Sequence, residues 1–487
     1  MISEFVALAQ HISLPNAVTW SCMVLVLIVM LFVRFTRPWH WRHWDLLLLL
    51  LLTIPMLFLR GSQERRDDQQ RLWGNENQLV LLHADCMMRL ATAQVQPVNY
   101  TLPLTAGGEQ ATRTNAKWLR HFGFQHQEIW QAYFWLLIVS ALLLLRCLLD
   151  LGLEQRSEFR CNVTTGGMIW LCLVMLLVMG VKSVLPAWRG VPGQQNETLI
   201  VHMLIQMINS DHFLNSVALT CHAILVVHLM LIGWLHFRNL TIGVAAALLY
   251  LLMPYTAILM HNPSQVVASM FIVLAITWYR SPILAGLFLG LGTGFGFYPF
   301  ILLPAWIGFY FRRGHGRFLL AYFSIILLFA VFLSIFAGLG QAWDTAWMLA
   351  EWQAWKFAIK PTADGLWNTV SLHAAYRIPL FIAFIALMIT SAFWPHPKQL
   401  GQLISWSATL IIGVQFWYAD AGGTYILWYL PLLVLQAVRP TLSEVRAVRI
   451  VPSQDRFTKI LNWLSPWKQS SSTATRQDHE SPTQLAG

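Results

Sequence analysis

Charged side chains are scarce in this sequence. Asp, Glu, Lys and Arg together make up 11% of the 487 residues, and 57% of the residues are hydrophobic. Soluble globular domains carry roughly one-quarter charged residues, so a water-soluble protein is excluded. The shortage is sharpest for acids, because the segment 212–343 contains no Asp or Glu at all.

This acid-free segment also argues against one class of membrane protein. Ion-coupled transporters usually bind protons or sodium through carboxylates placed inside the bilayer, since such groups carry the coupling. The segment lies in the middle of the chain, where such carboxylates would be expected. An ion-coupled transporter is therefore a less favoured interpretation.

Cysteines are few and are not arranged as metal ligands. The chain has six, none of them in a CxxC pair, so their spacing indicates no zinc site. The sequence identifies no cofactor and no metal ligand set, and it leaves a divalent metal open.

Basic residues outnumber acidic ones, with a formal net charge of +10. Lys and Arg recur in short segments between apolar stretches, as membrane topology requires, and do not form one basic surface. We therefore expect membrane lipid as a partner and no nucleic acid.

Long apolar runs recur along the whole chain. A helix needs about 20 mostly apolar residues to span the hydrocarbon, which predicts an all-α polytopic bundle of about 11–13 transmembrane helices. The predicted organisation is two N-terminal spans in 1–59, a large extracytoplasmic loop in 60–129, a transmembrane core in 130–339, a second extracytoplasmic loop in 340–378, C-terminal spans in 379–438 and a partly disordered cytoplasmic tail in 439–487.

Short connections that carry Lys or Arg alternate along the chain. Because short cytoplasmic loops carry most Lys and Arg, we predict that these connections face the cytoplasm. The N-terminus and the two long loops then lie outside, and the C-terminus lies inside. The residues are Arg34, Arg37 and Arg42, Arg156 and Arg160, Arg238, Arg280, Arg312, Arg313 and Arg317, Lys398, and Arg439, Arg446 and Arg449.

Acidic residues gather in the first long loop. If chemistry takes place outside, a general base is expected among these carboxylates, and the simpler interpretation of each one is a solvated surface group. They are Glu64, Asp67, Asp68, Glu76, Asp85 and Glu109, with Asp211, Asp344, Glu351, Asp364 and Asp420 elsewhere on the predicted outer side.

Tryptophans recur at near-helical spacing in the second long loop, from Trp343 to Trp355. They either anchor the segment at the lipid headgroups or form a wall on which a sugar or lipid stacks. Basic residues predicted on the same side could hold a lipid phosphate, or could simply extend toward the headgroups. They are Lys182, Arg189, His261, Lys356, Lys360, His373 and Arg377.

Two segments have a distinctive pattern. In 282–304, glycines punctuate two half-length apolar runs, and Pro299 and Pro304 remove backbone donors, which predicts a tight hairpin of short helices. The second segment, 422–431, reads GGTYILWYLP. Both segments resemble membrane glycosyltransferases of the C superfold, especially the bacterial polyprenyl-phosphate-mannose-dependent mannosyltransferases.

This resemblance implies a hexosyltransferase, such as a mannosyltransferase, of the bacterial inner (plasma) membrane. It would take a sugar from a polyprenyl phosphate on the outer side. The family's base is an acid of the first outer loop, which implies Glu76, with Asp67 and Asp68 as further candidates; Asn77 occupies the position where the family's Asp is expected. The candidate residues for binding substrate or phosphate are Arg65, Arg66, His261, Lys356 and Arg377.

Two departures from the family pattern support a second hypothesis. Asn77 stands where the family's Asp is expected. The family commonly has a basic residue before the hairpin proline, where this chain has Phe297 and Tyr298. The alternative is a non-catalytic protein of the same fold that binds or moves a lipid-linked glycan.

Overall fold

The computed structural model describes residues 17–33, 41–59, 61–62, 108–152, 161–184, 211–260, 263–337, 367, 374–418, 422–442 and 445–447. Of the residues described, 83% are helical, and no β-strand occurs among them. The predicted all-α class is therefore confirmed for the part of the chain that the structure describes.

The described α-helices are numbered here in chain order. They are α1 Ala17–Phe32, α2 Trp41–Leu51, α3 Gly108–Asp150, α4 Thr165–Val184, α5 Asp211–Leu235, α6 Leu240–Leu252, α7 Pro254–Ile258, α8 Pro263–Thr277, α9 Pro282–Phe295, α10 Tyr298–Ile301, α11 Leu303–Phe309, α12 His315–Ala337, α13 Arg377–Phe393, α14 Leu400–Trp417 and α15 Ile426–Val438. After α2 the chain is helical again over 53–59.

Four helical segments in the described ranges are long and apolar enough to cross a membrane: Ile129–Asp150, Asn215–Leu235, His315–Phe332 and Leu400–Trp417. Nine further apolar helices in these ranges are 10–17 residues long. The membrane character predicted from the composition is thus carried by at least four helices.

The long apolar helices differ in their surroundings. In α14, 89% of the apolar window is buried inside the protein, whereas in α12 only 11% is buried. The outward side chains of α12 include Leu327, Leu328 and Ile335. So large an apolar surface is unfavourable in water but matches lipid chains, so α12 has the pattern of a helix at the bundle periphery.

Contacts between turns bring the lysine- and arginine-bearing connections to one end of the bundle, which we call the basic end. Six contacts show this: Asn162 Nδ2 to the Met30 carbonyl (2.9 Å), the Thr165 and Thr241 hydroxyls (2.7 Å), His236 Nε2 to the Thr277 carbonyl (2.7 Å), the Tyr310 hydroxyl to the Tyr279 carbonyl (2.6 Å), Arg313 Nη1 to the Ala447 carbonyl (2.6 Å) and Leu400 N to the Val445 carbonyl (2.8 Å).

The described cations follow the same division. Among the Lys and Arg residues whose side chains the structure describes, Arg377 alone lies at the opposite end, which we call the distal end. The others are Arg146, Arg238, Arg280, Arg312, Arg313, Arg317, Lys398, Arg439 and Arg446. This segregation matches the predicted alternation of connections; that the basic end faces the cytoplasm stays a prediction.

Glycines bring α9 and α12 close together. Gly286, Gly290 and Gly294 recur every four residues along one face of α9. A Cβ at Gly286 would overlap the carbonyl oxygen of Phe318, and one at Gly290 would lie 2.9 Å from that of Tyr322. The two backbones therefore approach as closely as small residues allow, which is how helices without a hydrophobic driving force pack in lipid.

We expect Gly286→Ala to destabilise the protein by about 1–3 kcal/mol, because the new methyl group overlaps a backbone carbonyl that cannot rotate away. Gly316→Ala in α12 is the matched control, since no atom lies within 4 Å of its added Cβ. Chemical unfolding in detergent micelles measures both variants. Equal losses in the two variants would contradict the close packing of α9 and α12.

Candidate functional site

Arg377 is the one predicted site residue that the described ranges include. The predicted base candidates Glu76, Asp67 and Asp68 lie outside the described residues. So do the predicted phosphate-binding residues Arg65, Arg66, His261 and Lys356. The roles assigned to these seven residues stay predictions, and the site is built here from the elements around Arg377.

The hairpin 282–304 and the segment 422–431 meet in one buried group of rings at the distal end, which we call the aromatic cluster: Phe297, Tyr298, Tyr418, Tyr425 and Trp428. Trp428 stacks on Tyr298 and on Tyr425, with 4.2 Å between ring centroids in each pair. Phe297 stacks on Tyr418 at 5.4 Å. The two segments that carry the family resemblance are therefore in direct contact.

Local backbone features place these rings. Helix α9 ends at Phe295, and its C-cap residue Gly296 is extended. Pro299 lies in the first turn of α10, so Phe297 and Tyr298 fall at the break between the two helices. A proline is tolerated at that position because the first turn needs no backbone donor. The interruption turns consecutive aromatic side chains toward α15.

A glycine turn brings Tyr418 and Tyr425 together. Gly423 has φ +98, a left-handed conformation that side chains disfavour, and its amide donates to Gln415 Oε1 at 2.9 Å. A Cβ on Gly422 would lie 2.6 Å from the Tyr418 carbonyl oxygen. The pair of glycines thus allows α14 and α15 to be joined tightly beside the aromatic cluster.

Arg377 lies next to this cluster and is 1% exposed. Its Nε and Nη2 donate to the carbonyl oxygen of Trp417, at 2.9 and 2.7 Å. That carbonyl belongs to the last residue of α14, where unpaired carbonyls and the negative end of the helix dipole favour a cation. Arg377 is therefore fixed by capping α14, and its predicted contact with a phosphate stays a prediction.

Trp417, whose carbonyl binds Arg377, also contacts the aromatic rings around it. Its ring centroid lies 5.0 Å from that of Phe381 and 5.6 Å from that of Phe384, both on α13, and 6.3 Å from that of Tyr418. Arginine and aromatic cluster consequently form one continuous buried unit in which a cation lies close to stacked rings.

A second buried polar group lies at the basic end, which we call the ion cluster: Asp45, Arg146, Asp150 and Arg439. Arg146 pairs with Asp45 (Nε to Oδ1, 2.6 Å) and more loosely with Asp150 (3.4 Å), while Arg439 pairs with Asp150 (2.6 Å). Ser405 donates its hydroxyl to Asp150 at 2.7 Å. Two carboxylates and two guanidinium groups balance in charge, and together with Ser405 they join α2, α3, α14 and α15.

The sequence analysis missed this cluster. A usable signal was present, since Arg146 and Asp150 are four residues apart at the end of an apolar helix, where opposite charges share one face. The pairing of Asp45 with Arg146 spans 101 positions, which no local pattern indicates.

The ion cluster has a consequence for catalysis. Asp45 and Asp150 are the carboxylates among the side chains that the structure describes, and arginines engage both. Neither described carboxylate is therefore a candidate for the predicted base, and Glu76, Asp67 and Asp68 lie outside the described residues. No group of three or more His, Cys, Asp or Glu that could hold a metal occurs in the ranges described.

Comparison with known proteins gives no match to a family model, a curated protein or a solved structure. The resemblance to C-superfold glycosyltransferases consequently stays a prediction from the residues quoted above.

We expect Asp150→Asn to destabilise the protein by about 3 kcal/mol, because it leaves two buried guanidinium groups facing one carboxylate. Ser405→Ala, which removes a single neutral donor from the same oxygen, should cost about 1 kcal/mol. The measurement is chemical unfolding in detergent micelles.

A double variant provides the control for this prediction. Asp150→Asn combined with Arg439→Gln removes both partners, so its loss should be smaller than the sum of the two single losses by about 1 kcal/mol or more. Additive losses, or an Asp150→Asn variant no worse than Ser405→Ala, would show that the cluster does not hold the helices together.

Proposed function

We propose that this protein is a polytopic membrane glycosyltransferase of the C-superfold type, with about 11–13 spans. It transfers a hexosyl group, such as mannose, from a polyprenyl-phosphate-linked donor to a hydroxyl acceptor on the extracytoplasmic side. In this proposal the N-terminus and the distal end face outward, and the basic end and the C-terminus face the cytoplasm of a bacterial inner membrane.

The observation that carries the proposal is the aromatic cluster. Four of its five rings come from the two segments whose pattern resembles the glycosyltransferases, and Tyr418 is the C-cap of α14. The three stacked pairs have ring centroids 4.2–5.4 Å apart. Contact between segments more than 100 positions apart in the sequence supports their belonging to one functional unit.

The placement of the long connections also supports the proposal. The helical stretch 53–59 and helix α12 both run from the basic end toward the distal end, and α13 begins there. The connections that follow or precede them contain Glu76 and the tryptophans from Trp343 to Trp355. The described helices that flank these connections therefore end or begin at the distal end, where Arg377 and the aromatic cluster lie.

The reaction requires a base and a cation. In our proposal the Glu76 carboxylate takes the proton from the acceptor hydroxyl, while the oxygen of that hydroxyl forms a bond to the anomeric carbon of the donor sugar. The bond between that carbon and the donor phosphate oxygen breaks, and the polyprenyl phosphate leaves with the electron pair. Arg or Lys side chains stabilise the charge that develops on the phosphate.

The second candidate function, binding or moving a lipid-linked glycan without transfer, has one observation in its favour. Phe297 and Tyr298 replace the family's basic residue, and both rings are buried in stacking contacts. The hairpin therefore offers no cation at that point, and a phosphate would have to be held by another group such as Arg377.

We expect Glu76→Gln to lower the rate of sugar transfer from a polyprenyl-phosphate donor by about 10²–10⁴-fold, the usual contribution of a general base. Purified full-length protein is assayed with radiolabelled donor. Asp67→Asn and Asp68→Asn are measured in parallel as the further candidates.

The matched control is Glu154→Gln, a carboxylate in the predicted cytoplasmic connection that carries Arg156 and Arg160, which is not among the candidate bases. It should keep near-normal transfer. Full transfer by all three candidate variants would contradict the assignment of the base. Absence of transfer in the unmodified protein, with donor binding retained, would favour the non-catalytic alternative.

A further inference from the structure

Two turns come together at the basic end, and their side chains form what we call the Phe311 patch: Phe311, Arg312, His315 and His396. The ring of Phe311 lies 5.7 Å from the ring of His396 and 6.1 Å from that of His315, measured between centroids. The Arg312 guanidinium carbon lies 5.4 Å from the centre of the same ring. One exposed ring is thus surrounded by three nitrogen-bearing side chains.

Buried contacts hold the two turns in place. Lys398, 2% exposed, donates from Nζ to the Ala392 carbonyl at 2.9 Å and lies against Gly308. On the other side Arg313 donates to the Ala447 carbonyl at 2.6 Å. Arg312 itself has φ 57, a left-handed conformation that forms the sharp turn between α11 and α12. The two turns that carry the patch are therefore held by hydrogen bonds of Lys398 and Arg313 to backbone carbonyls.

No described carboxylate lies in either turn of the patch. Its two turns belong to stretches without acids, because neither 212–343 nor 377–418 contains Asp or Glu. The described carboxylates, Asp45 and Asp150, are engaged by arginines in the ion cluster.

The patch is apolar as well as basic. Phe311 is 45% exposed, and the neighbouring Trp394 and Phe393 are 53% and 74% exposed. Along the adjoining helices, the side chains of Leu320 on α12 and Ile389 on α13 are also exposed. Aromatic rings at the end of apolar helix faces, beside Arg, match the level of the lipid headgroups, whereas a soluble anion gains nothing from these rings.

We propose that the Phe311 patch binds the headgroup phosphate of an anionic phospholipid, with its acyl chains along the outer faces of α12 and α13. This site is separate from the donor site at the distal end, and it does not depend on the proposed sugar transfer.

The test is native mass spectrometry of the purified full-length protein in neutral detergent, titrated with phosphatidylglycerol or phosphatidylcholine. We expect preferential binding of phosphatidylglycerol, weakened about fivefold by Arg312→Gln, the usual contribution of one basic residue near a membrane surface. Arg312→Lys, which keeps the charge, should bind almost normally.

Arg280→Gln is the matched control, because Arg280 is also exposed at the basic end beside the exposed Trp278 but lies outside the patch. It should leave binding unchanged. If Arg312→Gln unfolds in the lipid-free protein, His396→Gln takes its place, with a smaller expected loss.

Three results would overturn the proposal: equal loss in Arg280→Gln, equal binding of phosphatidylcholine, or displacement of the lipid by glycerol 3-phosphate at matching concentration. The last would reveal a site for soluble anions. Sugar transfer is read separately, so failure of the proposed function would leave this result unaffected.

Discussion

The buried pairing of two carboxylates with two guanidinium groups is the interaction on which the arrangement of this bundle depends. A buried charge without a partner is costly where water is excluded, so Asp45, Arg146, Asp150 and Arg439 fix α2, α3 and the end of α15 relative to one another, and Ser405 adds α14. Both described carboxylates are used in this way. In our proposal the carboxylate base comes from the first long connection, at Glu76.

The two ends of the bundle are consequently different in character. The basic end has the ion cluster, the Phe311 patch and nearly all described cations, whereas the distal end has stacked rings and Arg377 bound to the last carbonyl of α14. Such a division suits a protein held in one orientation in a membrane by its charges. In our proposal the distal end handles the lipid-linked sugar, and the basic end binds the surrounding lipid.

Much of the fold could be predicted from the sequence, because membrane helices are encoded by local apolar runs and by the alternation of short basic connections. The glycines and prolines of 282–304 likewise indicated short, closely packed helices, as α9 to α11 show. The pairing of Asp45 with Arg146 and the stacking of Trp428 on Tyr298 could not be predicted, since these contacts join distant parts of the chain. The predicted carboxylate site depends on a family resemblance and not on geometry, for Glu76 lies outside the described residues.

The central claim is that the first long connection and the basic end lie on opposite sides of a membrane. The most direct measurement is labelling with a membrane-impermeant maleimide in intact cells. Cys86 reports the first long connection, and Gly316→Cys reports the basic end, where an added side chain meets no atom within 4 Å. Each is tested in a chain whose other cysteines are replaced by serine. The account predicts that Cys86 reacts in intact cells and that Gly316→Cys reacts only after permeabilisation; reaction of both from the same side would contradict it.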